Sequence, residues 1–288
     1  MNQPIKIITD SGADLTDELL QNRSIEILPM EIEINGTTRI PSTELDLKEM
    51  YRNMRHKSIY KTSQVPLELF LKVFEQYAVQ EIPVLYIGLS SALSGTVSAA
   101  IMAAGEIKEI YPHAQIEVID SKCATIGYGR AVIAAYDMAA QNIPIGEIKQ
   151  FVHDLTAHTE HLFTVSKLEY LVRGGRLSAA AAAIAGTLNI RPILNVNREG
   201  ALIATEKIRG EKKLKLRMAD LVAVLSGGLE NQTIYVVHGD DDTAADEMIE
   251  LIRKRISVKE IIKMMIGPTI GAHAGPGTLG IVFTNPNR

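Results

Sequence analysis

The sequence predicts an α/β protein of two domains: an N-terminal parallel-sheet α/β/α domain over residues 1–158, and a C-terminal α/β domain with a mixed or antiparallel sheet over 159–288, with a ligand between them. Three observations point there. Strands and helices alternate through the first half, as βαβ units with right-handed crossovers do. The second half changes rhythm after Asn142-Ile143-Pro144-Ile145-Gly146 and contains a hairpin signature. Three early strands run into clusters of hydroxyl residues, at the strand ends where an open parallel sheet places its ligand crevice.

Ile5–Thr9 reads as a short buried strand by its β-branched content. Thr16 is placed to cap a helix through Leu20, and Ile25–Ile34 reads as a second strand. Asn35-Gly36 is a hairpin turn that sends Thr37–Ile40 back along it. Asp46 with Glu49 forms a capping box for a helix to Arg55. Lys61-Thr62-Ser63-Gln64 reads as a polar loop, and Pro66 suits the first turn of a helix to Ala78. Strand Val84–Leu89, helix Ser94–Ile110, strand Ile116–Ile119 and helix Ala124–Ala140 follow, then helix Glu147–Ala157.

In the second half, Leu162–Val165 is a strand, followed by a short helix to Val172 and a Gly174-Gly175 turn. Ser178 is placed to cap an alanine-rich helix ending near Gly186. Ile190–Val196 and Leu202–Lys207 flank Asn197-Arg198-Glu199-Gly200 as an antiparallel hairpin. Helix Lys212–Leu225, strand Thr233–His238, helix Asp242–Arg255 and strands Ile261–Ile266 and Leu279–Phe283 complete the chain.

Composition narrows the function. A hydrophobic fraction of 46% is that of a soluble globular protein. A net charge of -4, without a clustered basic face, argues against a nucleic-acid surface. Cys123 is the only cysteine, which removes an intrachain disulfide and any cysteine-based metal site. Met1-Asn2-Gln3-Pro4 leads directly into a strand with no signal-peptide pattern, and no apolar run reaches the roughly 20 residues of a membrane span. The expectation is a cytoplasmic protein with no stable membrane insertion.

Ser90-Ser91-Ala92-Leu93-Ser94-Gly95-Thr96 sits at a strand-to-helix junction, where helix N–H groups attract an anion. One serine is enough for a cap, and three with a threonine favour a ligand site over a cap alone. Gly88-Leu89-Ser90-Ser91-Ala92 lacks the second glycine of a nucleophile elbow, and no phosphate-binding G-K-[ST] follows. Gly271-Ala272-His273-Ala274-Gly275-Pro276-Gly277-Thr278 reads as a fixed loop whose backbone can approach a ligand. His273 there either donates to a carboxylate, which would favour its protonated form, or stands in solvent. It has no partner at metal-ligand spacing, so no metal is expected. Asp240-Asp241-Asp242 reads as the N-terminal charge of the following helix.

Three functions remain: a carrier for a polar-headed ligand, a serine-dependent hydrolase or phosphotransfer subunit using Ser94 or His273, and a regulatory protein holding a sugar or phosphate. Several segments bear on the choice. Thr9-Asp10-Ser11, Lys61-Thr62-Ser63-Gln64 and the Ser90–Thr96 run lie in the first half. Leu168-Glu169-Tyr170-Leu171-Val172-Arg173-Gly174-Gly175-Arg176-Leu177-Ser178, Arg191-Pro192-Ile193-Leu194 and the Gly271–Gly277 loop lie in the second. In order and spacing, nearly end to end, these resemble the DegV family of fatty-acid-binding proteins. The chain departs after Gln64, where Val65-Pro66-Leu67 replaces the family's proline then serine.

The resemblance implies a long-chain fatty acid such as palmitate in a buried inter-domain tunnel, with no cofactor and no catalytic residue. By motif position it places the carboxylate at Thr62 and Ser94, with Ser63, Ser91, Gly95 and Thr96 as neighbours and His273 approaching from the second domain. It also implies a separate fatty acid kinase as partner, with Arg176 as its contact on an exposed loop rather than a ligand residue.

Overall fold

The computed structural model describes residues 5–178, 190–228 and 230–288. The predicted alanine-rich helix, ending near Gly186, lies outside the described residues apart from its proposed cap Ser178. The first half contains strands β1 (Lys6–Asp10), β2 (Glu26–Leu28), β3 (Glu31–Ile34), β4 (Thr38–Pro41), β5 (Tyr60–Ser63), β6 (Val84–Gly88) and β7 (Ile116–Asp120). Its helices are α1 (Asp17–Leu20), α2 (Leu47–Arg55), α3 (Leu67–Val79), α4 (Thr96–Ile110), α5 (Ile126–Ala140) and α6 (Ile145–Ala157). The second half contains β8 (Thr159–Thr164), α7 (Glu169–Arg173), β9 (Ile190–Val196), β10 (Leu202–Arg209), α8 (Glu211–Leu225), β11 (Thr233–His238), α9 (Asp242–Arg253), β12 (Glu260–Met265), α10 (Pro268–Ala274) and β13 (Leu279–Thr284).

Among the described residues the strands form three sheets. The first is fully parallel in the order β2-β1-β6-β7. The second is mixed, in the order β10-β9-β8-β13-β11-β12, with only β11 and β12 parallel. The third is a small antiparallel sheet, β4-β3-β5. The parallel sheet is buried on both faces, as the unbroken apolar run of β6 requires. Phe70 and Phe74 of α3 pack there, and Phe70 meets the Tyr86 ring edge-on at 5.1 Å. The mixed sheet obeys the two-residue period of a strand. Ile234 and Val236 of β11 face Met218, Val222 and Met248 on helices α8 and α9. Tyr235 and Val237 face the other way, toward Ile126 at the start of α5 and Ile266.

Four predicted elements differ from the structure. The expected strand Ile25–Ile34 is two strands in different sheets, broken at Pro29, which has no N–H for a ladder. The expected loop Lys61–Gln64 is largely β5, an edge strand in which Thr62 pairs with Ile32 while Lys61 reaches Glu33 at 3.8 Å on the outer face. Strand β8 begins at Thr159, so Thr159, Glu160 and His161 are buried polar residues. Finally, Gly271–Ala274 is helical, the last turn of α10, opened by Pro268 at its first position. The aspartate run behaves as expected at the helix start: Asp241 Oδ1 accepts from Ala244 N at 3.1 Å. Among the described residues no helix is long and apolar enough to cross a membrane.

Candidate functional site

A cavity lies where the carboxyl ends of β6 and β7 meet the face of the mixed sheet turned away from α8 and α9. Its wall is mostly aliphatic: Met30, Leu89 and Leu93 from the first half, Val237, Ile266 and Val282 from the second. Thr62, Ser94, Arg176 and His273 also line it. These four come from four separate segments, two of them loops, and were all singled out in the sequence.

Thr62 Oγ1 lies 2.7 Å from His273 Nε2, a contact spanning 211 residues. Ser94 Oγ lies 2.9 Å from Thr96 Oγ1 and accepts from Thr96 N at 3.3 Å. Thr96 is fully buried, and its hydroxyl accepts from Val65 N at 3.3 Å, which binds the loop after β5 to the start of α4. Thr96 thus supports the site from behind. Gly95 contributes by having no side chain, since a Cβ there would stand 2.1 Å from Gln64 Oε1. Gly174 has the same effect on His273: a Cβ would come within 2.1 Å of Nδ1. That Nδ1 is buried and has no hydrogen-bond partner among the described residues.

Burial pushes the His273 pKa down to about 4, helped by the nearby positive charges of Arg176 and Arg173. The imidazole is therefore neutral at neutral pH, and protonation awaits a carboxylate close enough to oppose burial. The solvent-exposed loop histidine is excluded.

Three other expectations change. Ser91 lies outside the cavity: its hydroxyl is exposed and accepts from Lys122 Nζ at 2.9 Å, while its N–H bonds Asp120 Oδ1 at 3.1 Å. Ser63 follows Thr62 in β5 and so turns to the opposite face of that strand. Arg176 is not on an exposed loop. It is half-buried, with Nε donating to Leu93 O at 2.9 Å and a terminal nitrogen donating to Gly174 O. The turn after α7 folds it back against the segment that carries Ser94.

Beneath this cluster lies a polar network that sequence reasoning missed. Asp10, fully buried at the end of β1, accepts hydrogen bonds from Tyr86 Oη (2.7 Å), Tyr128 Oη (2.7 Å), Leu89 N (3.0 Å) and Gly12 N (3.0 Å). Burial raises its pKa despite these four donors. The network fixes β1, β6 and α5 together just below the loop bearing Ser90–Thr96. Ser90 in turn donates to Gly200 O at 2.9 Å, fastening the β9–β10 turn over the strand ends. Thr125, His161 and Thr269 also line the cavity and were not anticipated. Thr125 lies just before α5, five residues beyond the end of β7, and falls outside the Asp120-Ser121-Lys122 run that carried the signal. His161 had none, because one histidine in Thr-Glu-His-Leu-Phe-Thr reads as core.

Among the described residues the arrangement supplies hydrogen-bonding hydroxyls and an imidazole, without a nucleophile, base and orienting group in series. Ser94 is hydrogen-bonded to Thr96, not to an imidazole, so no base activates it. The Thr62–His273 contact has the length of a nucleophile–base pair, but no group orients His273 Nδ1 from behind. Among the described residues no three metal-ligating side chains gather.

Comparison with known proteins identifies relatives of the chain. A profile of the DegV family, described as "Uncharacterised protein, DegV family", matches residues 4–285. A DegV domain-containing protein of Clostridium perfringens is 38% identical over 98% of both chains. The fold superimposes on a fatty-acid-binding DegV family protein of Thermus thermophilus with a TM-score of 0.88, at 27% identity, covering 98% of this chain and 100% of that one. It also superimposes on a stearic-acid-binding protein of Eubacterium ventriosum with a TM-score of 0.88, at 26% identity over 98% of both.

Proposed function

The chain belongs to the DegV family, and we propose that it binds a long-chain fatty acid in a buried tunnel between two domains, residues 1–158 and 159–288, without chemistry of its own. The observation that carries this reading is the pairing of Thr62 with His273, beside Ser94, in the wall of an otherwise aliphatic cavity. The fatty-acid and stearic-acid binding of the Thermus and Eubacterium proteins supports it.

The head group is held by neutral donors. Neutral His273 donates Nε2–H to Thr62 Oγ1, which leaves the Thr62 hydrogen free for a carboxylate oxygen. Ser94 donates to the same carboxylate and keeps Thr96 behind it. Affinity comes chiefly from the tail: a C16 acid buries about 14 methylenes at roughly 0.8 kcal/mol each. Such a head-group site leaves carboxylate lone pairs available for attack on a phosphoryl donor. The partner is accordingly a fatty acid kinase. Arg176 is partly exposed and also lines the cavity, so it can meet that partner while shaping the wall beside Ser94.

Displacement of a fluorescent fatty acid by palmitate tests the head-group assignment. Thr62→Ala and Ser94→Ala should each weaken binding by tenfold to a hundredfold, the loss of about 1.5–3 kcal/mol expected for a hydrogen bond to a charged group. Unchanged affinity in the double variant would remove the assignment.

A further inference from the structure

The cavity wall is not uniformly apolar away from Thr62 and Ser94, and its other polar groups differ in one respect. Thr125 Oγ1 donates to Asp14 Oδ2 at 2.6 Å. Thr269 Oγ1 pairs with Ser11 Oγ at 3.0 Å. Thr278 Oγ1 donates to the carbonyls of Ala274 and Gly275, both at 2.8 Å. Each of these hydroxyls is engaged with protein. His161 is not fully engaged. Its Nε2 lies 3.2 Å from Ala124 N and 3.1 Å from Ala124 O, so that edge is held by the backbone before α5. Its Nδ1 is buried with no partner among the described residues, on a side chain only 3% exposed.

We infer that the cavity selects a long-chain acid bearing one mid-chain hydroxyl, recognised by His161 Nδ1. This rests on the fatty-acid reading above and deepens it. Position supports the mid-chain assignment. Thr278 is tied to the end of α10, the helix that carries His273. His161 pairs with Val282, four residues further along that segment, or roughly 13 Å of extended chain.

The chemistry selects a hydroxyl. When Nε2 accepts from Ala124 N–H, the proton sits on Nδ1, which needs an acceptor. When Nε2–H donates to Ala124 O, Nδ1 needs a donor. A hydroxyl serves either tautomer, because it both donates and accepts. A plain methylene chain leaves Nδ1 unpaired in both. Burial holds the ring neutral, with its pKa pushed down to about 3, so a neutral alcohol suits it better than a second carboxylate.

The test is a positional series of monohydroxystearates, moved one carbon at a time, competing against stearate for the unaltered protein. One position, or an adjacent pair, should bind about threefold to tenfold more tightly than its neighbours on either side, the range for one neutral hydrogen bond. Elsewhere the hydroxyl is buried without a partner, and affinity should fall below that of stearate. His161→Phe should flatten the peak relative to its flanks. If that variant fails to fold, ¹⁵N-histidine spectra of the unaltered protein carry the test: the His161 Nδ1 resonance should shift with the best hydroxy acid and not with stearate. A uniform penalty at every position, a peak that survives His161→Phe, or a resonance indifferent to the hydroxyl would each overturn the inference. Stearate failing to bind would overturn the fatty-acid reading itself, which separates the two failures.

Discussion

Two polar clusters flank the cavity, and they are built on opposite principles. Around Asp10, two tyrosine hydroxyls and two backbone N–H groups converge on one carboxyl, and each has its partner. Around Thr62, one imidazole nitrogen has no partner, and the hydroxyls of Thr62 and Ser94 keep capacity beyond the single side-chain contact each makes. A satisfied buried network rigidifies what it touches, whereas an incomplete one is unfavourable until something completes it. The first cluster holds the strand ends in place, and the second is the one proposed to meet a ligand. Mutating them should therefore give opposite phenotypes.

The largest effect is expected at the satisfied cluster. Asp10→Ala strands two tyrosine hydroxyls and two N–H groups and should lower unfolding stability by at least about 3 kcal/mol in urea titrations. A loss below about 1 kcal/mol would show that the network is dispensable. Thr62→Ala, by contrast, should leave the urea midpoint nearly unchanged while palmitate affinity falls, and a joint loss of both would erase the distinction between the clusters.

The histidine of the incomplete cluster gives a pH signature. Its folded pKa, about 4, lies below the unfolded value of 6.5, so the unfolded chain takes up the proton first. Its contribution to stability is complete above pH 6.5 and is lost as pH falls toward 4. His161, lowered to about 3, acts in the same direction. Asp14, raised from 3.8 to about 7, acts in the opposite one, its contribution being lost as pH rises through that interval. The difference between the unaltered protein and His273→Gln isolates one group. The variant should lose less stability between pH 6.5 and 4, by about 1 kcal/mol per pH unit at most. Parallel curves would mean the imidazole is not held neutral by burial.

Ser91 marks the outer limit of the site. Its exposed contact with Lys122 should contribute under about 0.5 kcal/mol, and Ser91→Ala should alter neither stability nor palmitate affinity measurably. A tenfold loss of affinity would move the head-group site outward.

The difference between the clusters also explains what could be read in the sequence. Ser94 carried a local signal, a hydroxyl run at a strand end, whereas Thr62 sat in a polar segment that is weak alone and was singled out only by the family resemblance; it was placed in a loop and lies on β5. The split of the second strand was legible in principle at Pro29, which a ladder cannot include. The Asp10 network was not, because its tyrosines lie 76 and 118 residues away and look like ordinary core aromatics until the chain folds. The half-burial of Arg176 was also hidden, since its Nε partner is a backbone carbonyl 83 residues distant. Local pattern carries strand ends and turns; saturation of a buried carboxyl depends on distant contacts.

Native mass spectrometry of gently purified protein tests the central claim most directly. The account predicts a non-covalent mass excess matching a C14–C18 acid, retained by Ser91→Ala and depleted in the Thr62→Ala, Ser94→Ala double variant. A covalent acyl or phosphoryl adduct on the chain, with no released fatty acid, would contradict it.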